Sequence, residues 1–112
     1  MVTADRFRRL ALAMPEATEK ETWGEATFRV RDKIFATLSP DGDAAGLKAS
    51  LEAQQALVQS EPDIFAVAHY TGRYGWISIN LERVDPAELG ELLVDSWRRI
   101  APRKLVAAYD GS

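Results

Sequence analysis

The sequence predicts an α+β domain, a twisted antiparallel β-sheet with helices packed on one face. Three observations carry that expectation. Apolar and polar residues alternate in Thr27 to Val30, ahead of a second run from Ile34 to Leu38, and again in Trp76 to Leu81. Asp85-Pro86-Ala87-Glu88 combines an N-cap, a proline at the first helical position and a capping-box glutamate. Patterns of helical and strand period follow one another as helix, several strands, helix, strand, helix.

Taken in order, Thr3 is a helix N-cap, and Phe7, Leu10, Ala11 and Met14 recur at helical spacing until Pro15 ends the pattern. Thr27-Phe28-Arg29-Val30 and Ile34 to Leu38 then read as the arms of a hairpin turning at Arg31-Asp32. With Val30 and Lys33 flanking the turn, Phe28 is expected opposite Phe35, and Arg29 and Arg31 on the other face. Pro40-Asp41-Gly42-Asp43 is a turn, after which a further strand of the meander runs from about Ala44 to Lys48.

Ser50 caps a second helix, Leu51 to about Ser60, which stops before Pro62. Ile64 to His69 reads as strand or extended loop, and Tyr70 to Gly75 as a glycine-flanked turn. In the next strand Ile77, Ile79 and Leu81 take one face, while Trp76, Ser78 and Asn80 take the other. A large aromatic therefore stands on the polar side. The last long helix carries Leu89, Leu92, Leu93, Ser96, Trp97 and Ile100 along one stripe, which puts Trp97 in the core. Pro102 breaks it, Arg103 to Tyr109 form one more turn, and Asp110-Gly111-Ser112 are expected to fray.

A chain of 112 residues is the size of one domain, 1–112 with its core at about 3–105, and 46% apolar with 28% charged residues suits a globular fold. No cysteine is present, which removes disulfides, zinc-thiolate sites and thiol catalysis and fits a reducing cytoplasm. No apolar run is long enough to span a bilayer, so no membrane partner is expected. The net charge of -3 counts against grip on nucleic acid by bulk electrostatics, since such domains are usually basic. Charge is uneven, however: residues 36–95 hold three basic and ten acidic side chains, residues 96–112 four basic and one acidic. If Arg6, Arg8 and Arg9 lay beside Arg98, Arg99, Arg103 and Lys104, they would form a positive patch; the competing reading is a solvated helix face.

No residue set amounts to an active site. His69 is the single histidine, so no histidine pair can hold a metal, and no cofactor is expected. Ser78 or Ser96 with His69 and Asp95 can be written as a triad, but no nucleophile elbow accompanies them. Thr71-Gly72-Arg73-Tyr74-Gly75 lacks the ending of a phosphate loop and leads into a strand. The neighbourhood His69, Tyr70, Arg73, Tyr74 and Trp76 is the one that can stack on bases or grip a partner, although aromatics at a strand start also close core ends.

Several segments together resemble the MmcQ/YjbR family of small bacterial-type domains. They are Leu12-Ala13-Met14-Pro15, Trp23-Gly24, Phe28-Arg29-Val30 to Lys33-Ile34-Phe35-Ala36, Leu47-Lys48, Trp76-Ile77, and Leu92-Leu93-Val94-Asp95-Ser96-Trp97. The resemblance implies a CyaY-like α+β fold and, as function, DNA binding through a double wing of β-hairpins, with Lys33, Lys48 and Trp76 as matching surface positions. The leading expectation is a non-enzymatic DNA-binding domain. Arg29, Arg31 and Lys33 would sit on or beside one wing and Arg73 in the other, with Lys48 and Trp76 between them and Trp76 or Tyr74 stacking on a base. The alternative is a protein-interaction or small-ligand module using the same aromatic face.

Overall fold

The computed structural model describes residues 1–111. The elements are α1 (Ala4–Leu12), β1 (Ala17–Thr22), β2 (Glu25–Val30), β3 (Lys33–Leu38), β4 (Ala44–Leu47), α2 (Leu51–Ser60), β5 (Phe65–Val67), β6 (Ile77–Asn80), α3 (Pro86–Ile100) and α4 (Arg103–Tyr109), with a single 3-10 turn at Gly72–Tyr74. The strands form one antiparallel sheet in the order β1-β2-β3-β4-β6-β5. Fold class and helix starts follow the sequence. Thr3 accepts from the Arg6 amide, Ser50 from Ala53, and Asp85 from Ala87 and Glu88.

One face of the sheet is greasy because alternate residues of each strand are. Phe28, Val30, Phe35, Ala36, Leu38, Leu47, Phe65, Ile77 and Ile79 are buried there against Phe7 and Ala11 of α1 and Leu89, Leu93 and Trp97 of α3. The Phe7 and Phe28 rings meet edge-on at 5.5 Å, an arrangement worth about 1 kcal/mol beyond area burial. Trp97 is fully buried, as its stripe predicted, and its indole N–H donates to the Pro15 carbonyl at 3.0 Å, which fixes the exit of α1.

Three features depart from the sequence reading. The stretch Ala17–Thr22 is an edge strand, β1, although its ATEKET sequence shows no apolar alternation. It is a strand because β2 offers a full row of backbone partners, and an edge strand needs little apolar character when charge keeps it from pairing further. Second, Phe28 lies opposite Ala36, not Phe35. A bulge between Phe28 and Arg29 leaves Phe35 as the extra residue, so Phe35 and Ala36 both reach the core. Third, the C-terminal turn is a two-turn helix, and Asp110 beyond it is ion-paired with Arg98. The expectation of fraying at Ser112 lies outside the described residues.

Candidate binding groove

Register places Thr18, Lys20, Thr22, Glu25, Thr27, Arg29, Ile34, Thr37, Gly46, Ser78 and Ala66 on the face away from α1 and α3. Most of these side chains are small, so the sheet's twist leaves a groove of about 840 Å³ across it. No residue of the four α-helices lines that groove. At one end stand Thr22, Trp23 and Glu25 of the β1–β2 turn; at the other, His69, Tyr70 and Thr71 of the β5–β6 connection, with Trp76 beside them.

The rings at the two ends are presented to solvent. Trp23 is 99% exposed and Tyr70 95%. Both have left-handed backbones, φ 58° at Trp23 and 61° at Tyr70, conformations that cost a non-glycine residue about 1–2 kcal/mol. At Trp23-Gly24 two consecutive positive-φ residues close a two-residue hairpin between Thr22 and Glu25. The sequence reading used Trp23 only for its resemblance to a family. The available signal was the Trp-Gly dipeptide itself, a tight-turn dipeptide that has to hold its bulky residue away from the core.

The β5–β6 connection is held from beneath. The Gln54 amide of α2, buried, donates to the Gly72 and Trp76 carbonyls, each at 2.8 Å. Gly75 adopts φ 96°, and a Cβ there would collide with the Ala49 carbonyl. Glycine is required at that point.

The structure sets the sequence-predicted residues as follows. Trp76 lines the groove, half-buried. Arg29 lies along the open face with its guanidinium bonded to the wall threonines Thr27 (3.2 Å) and Thr22 (3.2 Å) and to the Asp32 carbonyl, and it ion-pairs with Asp32 at 3.6 Å. Arg31 forks onto both carboxylate oxygens of Glu16, and these bonds hold the Glu16 carboxyl below its usual range. Lys33 is exposed at the start of β3, and the Lys48 ammonium donates to the Tyr74 carbonyl. Arg73 stacks over the Tyr74 ring at 4.8 Å. Because the strands alternate in direction, the Arg31 turn, Lys33, Lys48 and the Arg73 loop all fall at one end of the sheet.

Of the terminal cations, Arg8 is answered by Asp5 and Glu19, Arg98 by Asp110 and Arg99 by Asp95, while Arg6, Arg9, Arg103 and Lys104 form no ion pair among the described residues. This is the solvated-face arrangement for the three paired arginines. The serine–histidine–aspartate set does not assemble. The Ser96 hydroxyl donates to the Lys48 carbonyl and Asp95 pairs with Arg99, while His69 and Ser78 line the groove on the opposite side of the sheet. No group of three or more histidine or carboxylate side chains that could hold a metal occurs among the described residues, and no helix is long and apolar enough to cross a membrane.

A family model described as YjbR matches residues 12–99, from the end of α1 through α3. The chain belongs to the YjbR family. Uncharacterized proteins Rv2570 of Mycobacterium tuberculosis and Mb2600 of Mycobacterium bovis are each 33% identical to it over 72 residues, 62% of this chain and 55% of the relative. The chain thus matches about half the length of these curated relatives. Among solved structures, Deinococcus radiodurans protein DR2400, with a family-model domain DUF419, superposes with a TM-score of 0.81. That likeness covers 88% of this chain and 78% of DR2400 at 24% identity, and it establishes the YjbR fold.

Proposed function

We propose that this YjbR domain is a non-enzymatic binding module that takes its ligand into the groove on the open sheet face, by ring contact. One observation carries the reading: Trp23 and Tyr70, from opposite ends of the sheet, are nearly fully exposed, backbone-strained and lining the same groove. Strain and exposed aromatic surface both cost stability, and such costs persist where the arrangement serves recognition. Titration of the ¹⁵N-labelled domain with a peptide and fragment library tests it. Shifts should cluster on Trp23, Tyr70, Trp76 and Ser78, and fade in the Trp23→Ala, Tyr70→Ala double variant. Clustering elsewhere would overturn the reading.

DNA binding, the function the family resemblance suggests, is favoured by a different observation, the gathering of Lys33, Lys48 and Arg73 at one end of the sheet. Against it weigh the net charge of -3 and the engagement of Arg29 and Arg31 with Asp32 and Glu16. A groove without lysine or arginine in its lining offers phosphates little. Fluorescence anisotropy with short single- and double-stranded DNA at low salt separates the two readings.

A further inference from the structure

We infer that the ligand of this groove is an extended peptide segment of a partner protein bearing lysine or arginine side chains. The inference rests on the groove reading above and deepens it by naming the ligand's chemistry.

The groove continues into a second recess of about 380 Å³, with which it shares Ala44, Ala66 and Ser78. That recess is lined by Asp43, Asp63 and Glu82, and the groove's own wall adds Glu25. Neither lining contains a lysine or arginine. Elsewhere Asp5, Glu16, Glu19, Asp32, Asp95 and Asp110 pair with arginines, whereas Glu21, Asp41, Glu52, Glu61, Asp85, Glu88 and Glu91 form no ion pair among the described residues but line neither the groove nor the recess. Glu25, Asp43, Asp63 and Glu82 form no ion pair among the described residues, and the adjacent Arg83, exposed, forms none either. Asp43 accepts only the Ser39 hydroxyl, at 3.0 Å.

Exposed rings combined with unanswered carboxylates are complementary to cations. A lysine or arginine side chain lies favourably on a Trp or Tyr face, where the ring quadrupole attracts the cation, and meets a carboxylate at the mouth. Phosphates would meet those same carboxylates with like charge. Length selects a peptide over a small cation. From β2 to β5 the sheet crosses four strand intervals, roughly 19 Å, which an extended peptide spans in about six residues.

The test uses isothermal titration and tryptophan fluorescence on the full chain with four probes: an Arg/Gly-alternating capped hexapeptide, its Glu/Gly counterpart, spermine, and short oligothymidylate. Two variants accompany them, Trp23→Ala and the triple Asp43→Asn, Asp63→Asn, Glu82→Gln. All four positions are exposed, and a thermal melt confirms that each variant folds. The basic hexapeptide should bind, the acidic one should not, and each variant should weaken binding roughly fivefold to tenfold. Acidic peptide or oligothymidylate binding as well, with the triple variant neutral or tighter, would overturn the cationic ligand and leave the groove reading intact. Spermine matching the hexapeptide would overturn the peptide. If no probe binds or perturbs fluorescence, both this inference and its basis in these rings fall, whereas binding unaffected by Trp23→Ala overturns the groove reading itself.

Discussion

Trp23 joins a stability cost to the proposed recognition at a single position. Its φ of 58° in a two-residue turn is the conformation that asparagine adopts freely, and Asn-Gly is the preferred dipeptide there. Trp23→Asn should therefore raise stability by about 1 kcal/mol, read as a higher urea midpoint, while removing ring contact and weakening ligand binding. Glu88 works in the opposite sense. Partial burial, then the charges of Glu61 and Asp85, a hydrogen bond that the protonated carboxyl donates to Glu61, and the charge of Glu91 raise its carboxyl above the usual range. The folded state therefore holds this proton more tightly than the unfolded chain. The linked stability is present at low pH and lost as pH rises through the raised value, leaving a penalty at neutral pH. Glu88→Gln should raise the Tm at neutral pH by about 1–2 °C, and the gain should vanish as pH falls through the ordinary carboxylate range. Melting curves across that range check it.

At the scale of elements, α2 acts as a bracket for the β5–β6 connection. Its Gln54 amide donates to two carbonyls of that connection. Gln54→Leu leaves each carbonyl with only its backbone partner, the Gly75 amide on Gly72 and the Ala68 amide on Trp76, and should cost about 0.5–1.5 kcal/mol per lost bond, with faster amide exchange at Thr71 to Trp76. The sequence made the helices legible because caps and apolar stripes are local signals. β1 escaped because its only stabilising partner is the neighbouring backbone, invisible in ATEKET, and the displaced Phe28 register escaped because a bulge adds a residue without marking it. The site was half legible. Trp76 could be placed on the polar side by strand parity alone, but Trp23's exposure depends on a turn between two strands, one of them unrecognised. The basic candidates were visible as charges, whereas their partners Glu16 and Asp32 required the fold.

For the whole molecule, the distribution of charge sets what DNA affinity is available. With Arg29 and Arg31 engaged, Lys33, Lys48 and Arg73 are the cations left among the residues expected on and between the hairpin wings. Duplex binding through that end of the sheet alone should therefore show a log–log salt slope no steeper than about −2.7, three contacts at roughly 0.9 each. Anisotropy titrations at several salt concentrations measure it, and a markedly steeper slope would mean that further cations take part. The strand parity that builds the core has a wider consequence. Ile77 and Ile79 hold the interior while Ser78 and Asn80 pave the opposite side, and Leu47 and Gly46 divide the same way. Residues of the proposed binding face are thus interleaved with those that keep the chain folded, on opposite sides of the same strands. Selection can rewrite the paving one tile at a time and retarget the domain, while the architecture beneath goes on unchanged through deep sequence divergence.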